Sequence, residues 1–78
     1  MDIILLYHDK KYIIETKLWA GEKRYQEGKK QLARYLKSEQ VKEGYYLVFD
    51  YRKKNTEERS ERENIQQKTI LSYCIPVL

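Results

Sequence analysis

Three charged residues near the start of this 78-residue chain stand out because the residues around them are apolar. Asp2 leads into Ile3-Ile4-Leu5-Leu6-Tyr7, while Glu15 and Lys17 interrupt Tyr12-Ile13-Ile14-Glu15-Thr16-Lys17-Leu18. Ionised groups on such an apolar background are costly to desolvate unless they pair with one another or hold a metal. Two nearby carboxylates can share a hard divalent cation such as Mg²⁺, or Mn²⁺ in its place, which takes oxygen ligands and keeps several waters. Such an ion polarises a phosphodiester and acidifies a bound water. A lysine beside it can orient that water or offset charge developing on the phosphate. The same residues also suit a plain salt bridge at a strand end, where Glu-x-Lys pairs are common.

The elements that must position them read directly from the pattern. Two β-branched and aromatic runs around the polar His8-Asp9-Lys10-Lys11 predict a β-hairpin. With a turn of two or four residues, Tyr7 faces Tyr12, Ile4 faces Glu15 and Asp2 faces Lys17. Side chains alternate along a strand, so Asp2, Glu15 and Lys17 then share one face, with Glu15 diagonal to Asp2 at roughly 7–8 Å. An odd-length turn sends Asp2 to the other face and dissolves the cluster. After Trp19-Ala20-Gly21 the period turns helical from Glu22 to Glu39, with Tyr25, Gly28, Leu32, Tyr35 and Leu36 as the stripe. Gly28 inside that helix costs roughly 1 kcal/mol relative to Ala, which a close approach to the sheet would explain. Tyr45 to Tyr51 is a third strand, apolar on both faces and therefore central. Residues 52–64 lack any large apolar side chain and read as a solvated charged loop. Lys68 to Leu78 is a fourth strand, with Pro76 at its edge or end. The fold class is α/β (α+β), a mixed four-stranded sheet in β-β-α-β-β order. The helical crossover makes the second and third strands parallel.

Asp2 and, after a twelve-residue gap, Glu15 within Ile13-Ile14-Glu15-Thr16-Lys17 resemble the D-x(n)-E-x-K signature of the PD-(D/E)XK nuclease superfamily. Gln31-Leu32-Ala33-Arg34-Tyr35 matches the Q-x-x-x-Y motif that RecB-like members carry on the following helix. Trp19-Ala20-Gly21, Gln31-Leu32 through Tyr35-Leu36 and Gly44-Tyr45-Tyr46-Leu47-Val48-Phe49 resemble a nuclease-like C-terminal domain attached to bacterial AAA-ATPase-like proteins. The resemblance runs from Asp2 to Tyr51. It implies a restriction-endonuclease-like core in which Asp2, Glu15 and the Thr16 carbonyl hold Mg²⁺ or Mn²⁺, and Lys17 is catalytic. It further implies that Gln31 and Tyr35 position the site or the strand, and that the substrate is DNA. The family's core is usually α-β-β-β-α-β, so a first helix and first strand are missing from this chain. A single, partial nuclease-like domain over residues 1–78 is the expected organisation.

Composition narrows the remaining classes. Sixteen basic residues against twelve acidic ones leave a net charge of +4, and 41 % of residues are hydrophobic. One cysteine, Cys74, excludes an internal disulfide, and one histidine, His8, distant from it, excludes a zinc-finger-type site. No apolar run is long enough for a membrane span, so a cytoplasmic protein without a membrane partner is expected. The stretch 22–43 holds seven basic and four acidic residues. From it Lys23, Arg24, Lys29, Lys30 and Arg34 could approach phosphates, and Arg52-Lys53-Lys54 could form a second contact. An ordinary solvated helix face accounts for the same residues. Trp19 reads as a core cap, His8 as a turn residue and Cys74 as a small buried hydrophobe. Two further readings stand beside nuclease action: a non-catalytic module that binds nucleic acid or protein, and a fragment that self-associates. A homodimer could form through an exposed sheet edge or strand exchange.

Overall fold

The computed structural model describes residues 2–52 and 57–77, with the side chain of Asp2 outside the described part. Strands β1 (Asp2–Tyr7) and β2 (Lys10–Leu18) form an antiparallel hairpin. Helix α1 (Glu22–Ser38) follows, then β3 (Glu43–Asp50), β4 (Arg59–Ile65) and β5 (Lys68–Pro76). The five strands make one mixed sheet in the order β1-β2-β3-β5-β4. β3 lies between β2 and β5 and runs parallel to both, as a strand apolar on both faces should.

The β1–β2 turn holds only His8 and Asp9, both with positive φ, 50° and 62°. That is the backbone of a two-residue turn whose twist suits a hairpin. The register is consequently displaced by two residues from the expected one: Asp2 pairs with Glu15, not with Lys17, and Tyr7 pairs with Lys10. Lys10 and Lys11, expected in the turn, belong to β2. Because the displacement is even, the parity that groups these positions on one face is unchanged.

Helix α1 starts with Glu22 in its first turn and carries Lys37 in its last, both favourable to the helix dipole. It ends in a Schellman arrangement around Gln40, whose φ is 58°. There the Gln40 N–H donates to the Lys37 carbonyl at 3.2 Å and the Val41 N–H to the Leu36 carbonyl at 2.9 Å. One face of the helix lies on β3, β5 and β4. The core between them is Ile13, Tyr25, Leu32, Ala33, Leu36, Tyr46, Val48, Ile70 and Cys74. Gly28 is where the helix comes closest to the sheet: a Cβ there would overlap the Tyr46 hydroxyl. Gly44 faces Leu36 in the same way, with 2.9 Å left for a Cβ. On the face away from the helix, Tyr45, Leu47, Leu71 and Tyr73 alternate along β3 and β5, half-buried or exposed.

The sheet has five strands where four were expected, because residues 59–65 are not a loop. β4 is an edge strand joined to β5 through Gln66 and Gln67, both with positive φ. It escapes an apolar-pattern reading because its inward side chains are charged. Arg59, Glu61 and Glu63 point to the helix and are held there by ion pairs instead of apolar burial. Pro76 closes β5, where its missing N–H is harmless. Among the described residues no helix is long and apolar enough to cross a membrane.

Candidate functional site

β2, α1 and β3 form a parallel β-α-β unit, and ligand crevices in such units open at the carboxyl ends of the strands, beside the helix N-terminus. A cleft of about 720 Å³ lies at that place. Its wall includes Thr16, Lys17 and Trp19 from the end of β2, Phe49 from β3, and Arg24, Gly28, Gln31 and Arg34 from α1. The close Gly28–Tyr46 approach draws the helix down at its middle, and residues 24–34 of α1 form the far bank of the cleft.

Lys17 stands between the two motif elements. Its Nζ is 3.7 Å from Glu15 Oε1 and donates to Gln31 Oε1 at 3.4 Å. Gln31 therefore meets the Glu-x-Lys strand across the cleft. The Glu15 side chain is 15 % exposed and that of Lys17 40 %, so the carboxylate is sheltered and the ammonium faces the opening. Tyr35 is one turn further along α1 but does not reach the cleft; half-buried, it packs beside the core.

The donor types at this place suit a hard cation: the Glu15 carboxylate, the Thr16 carbonyl beside it, and Asp2 at the backbone position directly opposite Glu15. Among the described residues no three His, Cys, Asp or Glu side chains gather to hold a metal. The carboxylate that would complete the set is that of Asp2, which lies outside the described part, as do Lys53 and Lys54 among the expected phosphate contacts.

Of the other expected phosphate contacts, Arg24 and Arg34 line the cleft, and Lys23 and Lys30 are exposed on α1 outside it. Two are committed elsewhere. Lys29 is fully buried, with Nζ 3.0 Å from Glu61 and 2.6 Å from Glu63, and lies 4.5 Å from the centre of the Tyr25 ring. Burial alone would lower its pKa, but the two carboxylates outweigh burial and hold it above the ordinary lysine value. Arg52 clasps the fully buried Asp50. Its Nε donates to Asp50 Oδ1 at 3.0 Å, its Nη2 to Oδ2 at 2.7 Å, and its guanidinium lies 4.3 Å over Trp19. Trp19 thus caps the core end of the cleft with Arg52 stacked on it.

The network around Lys29 is what sequence reading missed. Arg59 bridges Glu61 at 3.1 Å and Glu22 at 2.7 Å, tying the edge strand to the helix start. The Arg59 and Gln26 side chains pull the Glu22 carboxyl down to about 2. Burial pushes the Tyr46 phenol up to about 12, with Tyr25 and Cys74 adding to it. The available signal was a lysine inside an apolar helical stripe, four residues after Tyr25, together with alternate charges at 59, 61 and 63.

Fold and cleft together define a small α+β protein with one helix on a mixed five-stranded sheet. Residues 2–53 match a family described as Domain of unknown function (DUF8371), which covers most of the chain, and the protein belongs to that family. No curated protein and no solved structure matches the chain.

Proposed function

We propose that this chain is a metal-dependent deoxyribonuclease core of the PD-(D/E)XK type, acting on DNA in the cytoplasm. The observation that carries the reading is Lys17, held between Glu15 and Gln31 at the edge of a cleft at the strand ends. In this reading Glu15, the Thr16 carbonyl and Asp2 bind Mg²⁺ or Mn²⁺, which when bound polarises a phosphodiester and acidifies a water. Gln31 accepts a hydrogen bond from the Lys17 ammonium and fixes its direction. The ammonium stabilises negative charge growing on a phosphate oxygen or orients the attacking water. Arg24 and Arg34 on the far bank draw the DNA backbone in, an attraction that weakens as salt rises. Tyr35 supports the helix from the core side.

The test is cleavage of plasmid and linear DNA with Mg²⁺ or Mn²⁺, with and without chelator, by the wild type, Lys17→Ala and Glu15→Gln. Each substitution should lower the rate by roughly 10²- to 10⁴-fold. Cleavage by Lys17→Ala at the wild-type rate refutes the assignment. The Glu15–Lys17 pair also gives each group a partner without any ion, which favours a second reading, a module that retains nucleic acid without turnover. That reading requires salt-sensitive DNA retention and no metal-stimulated cleavage.

A further inference from the structure

Among the described residues, strand β1 ends the sheet and pairs only with β2. Its residues Ile3 to Tyr7 are all between 42 % and 70 % exposed. The helix lies over β3, β5 and β4, so β1 is open on both faces as well as along its outer edge. The opposite edge, β4, is built differently: Arg59, Glu61, Arg62 and Glu63 place charge on every part of it. Charged side chains are how natural sheets block pairing with another strand, and an uncharged apolar edge invites it.

We propose that β1 is the interface of a two-fold symmetric dimer, in which it pairs antiparallel with β1 of a second copy to make a continuous ten-stranded sheet. A second copy is the fitting occupant for three reasons. From Ile3 to Tyr7 the strand carries no charge, so two copies meet without like-charge opposition. The pattern of free backbone groups is self-complementary. Tyr7 and Lys10 flank the two-residue turn and exchange hydrogen bonds, so by alternation Tyr7, Leu5 and Ile3 are bonded to β2. The N–H and C=O groups of Asp2, Ile4 and Leu6 therefore point outward. A two-fold axis at Ile4 sets Ile4 opposite the partner's Ile4 and Leu6 opposite the partner's Asp2, and every outward group finds a mate.

The third reason is the apolar surface that pairing covers: Ile3, Ile4, Leu5, Leu6 and Tyr7 are each between 42 % and 70 % exposed, and a second copy brings the same apolar strand to meet them. The axis stands perpendicular to the sheet, so both helices lie on one face and the overhanging apolar strands meet between them.

The experiment is sedimentation equilibrium of the full chain with far-UV circular dichroism of each variant. Wild type should sediment at twice the 9.6 kDa chain mass. Ile4→Lys sets two ammonium groups against each other on the axis and should sediment as the monomer with an unchanged dichroism spectrum. Tyr73→Lys, on the open sheet face away from β1, should remain dimeric. A monomeric wild type, a dimeric Ile4→Lys, or a Tyr73→Lys monomer overturns the proposal, the last in favour of face-to-face packing. Amide exchange on the wild type decides the matter even if Ile4→Lys does not fold. The Ile4 and Leu6 amides should exchange at least about tenfold more slowly in concentrated than in dilute protein, while Ile3 and Leu5 stay unchanged. Exchange at Ile4 and Leu6 that ignores concentration refutes strand pairing.

Discussion

Lys29→Met tests the ion-pair anchor of the edge strand. Methionine keeps most of the apolar stem against Tyr25 and removes only the ammonium, which in the wild type is fully buried between Glu61 and Glu63 at 3.0 and 2.6 Å. Removing one member of a buried pair costs about 3–5 kcal/mol when the other members cannot reach water. Here the Glu61 and Glu63 side chains are 32 % and 36 % exposed, so they rehydrate in part, and Arg59 still holds Glu61. The expected loss is therefore smaller, about 2 kcal/mol. With a denaturant slope near 1 kcal/mol/M for a domain this small, that is a shift of about 2 M in the urea midpoint at pH 7. The pH dependence supplies a second, independent sign. In the wild type burial raises the Glu61 pKa, but Lys29 and Arg59 outweigh it and hold the carboxyl below its ordinary value. Stability from that group is complete above the unfolded pKa and falls as acid protonates it. In Lys29→Met the Lys29 part of that pull is gone and only Arg59 holds Glu61, so the variant should lose less stability than wild type as pH falls from about 6 to about 4. Adding Glu61→Gln and Glu63→Gln should recover most of the loss at pH 7. A midpoint within 0.3 M or so of wild type, on the same slope, refutes the anchor, as does a Lys29→Met variant that loses as much stability as wild type over that pH range.

Further outcomes follow from single contacts. Gly28→Ala gains about 1 kcal/mol of helix propensity but drives a methyl into the Tyr46 hydroxyl. It should be destabilising by about 1–2 kcal/mol in thermal unfolding. Tyr46→Phe in the same chain should return part of that loss, and a stabilised Gly28→Ala refutes the contact. Arg52→Ala removes the clasp on the buried Asp50 and should lower the urea midpoint. Asp50→Asn added to it should restore part of the stability. In alkali, Tyr46 and Lys29 both have raised pKa values, so their contributions are complete below pH 10 and are lost as pH rises through the folded values. Phenolate absorbance should therefore show Tyr46 titrating near pH 12 or at unfolding, with the buried Tyr25 also above its ordinary value; ionisation of Tyr46 near pH 10 in a folded chain contradicts its burial.

The hairpin, the helix and the central strand were legible because each has a period that solvent enforces: two for β2 and β3, 3.6 for α1. The Schellman end at Gln40 was not, since a left-handed glutamine leaves no compositional mark where glycine would. The site was half legible. Types and spacing put Glu15, Lys17 and Gln31 on neighbouring surfaces, and the fold brings Lys17 within 3.7 Å of one and 3.4 Å of the other. The Q-x-x-x-Y motif grouped Tyr35 with Gln31, yet one extra turn of helix carries Tyr35 past the cleft to the core side. Charge alone could not separate Lys29 from Lys30, which are adjacent in sequence and opposite in fate, one buried and one exposed.

What the amino-acid sequence determined by itself was local: which segments alternate, which segment is amphipathic at helical period, and which polar residues sit where apolar ones would be expected. These follow from covalent spacing and from the side a segment turns to water. The tertiary structure alone decided the two-residue register of the hairpin, through the left-handed backbone of His8 and Asp9. It alone made a strand of residues 59–65, because ion pairs from α1 hold β4 against β5 where no apolar pattern could announce it. It also left β1 outside the main contacts of the helix, which lies chiefly over β3, β5 and β4. Pairing between distant segments depends on which surfaces remain after the local elements form, and no residue-by-residue property encodes that remainder.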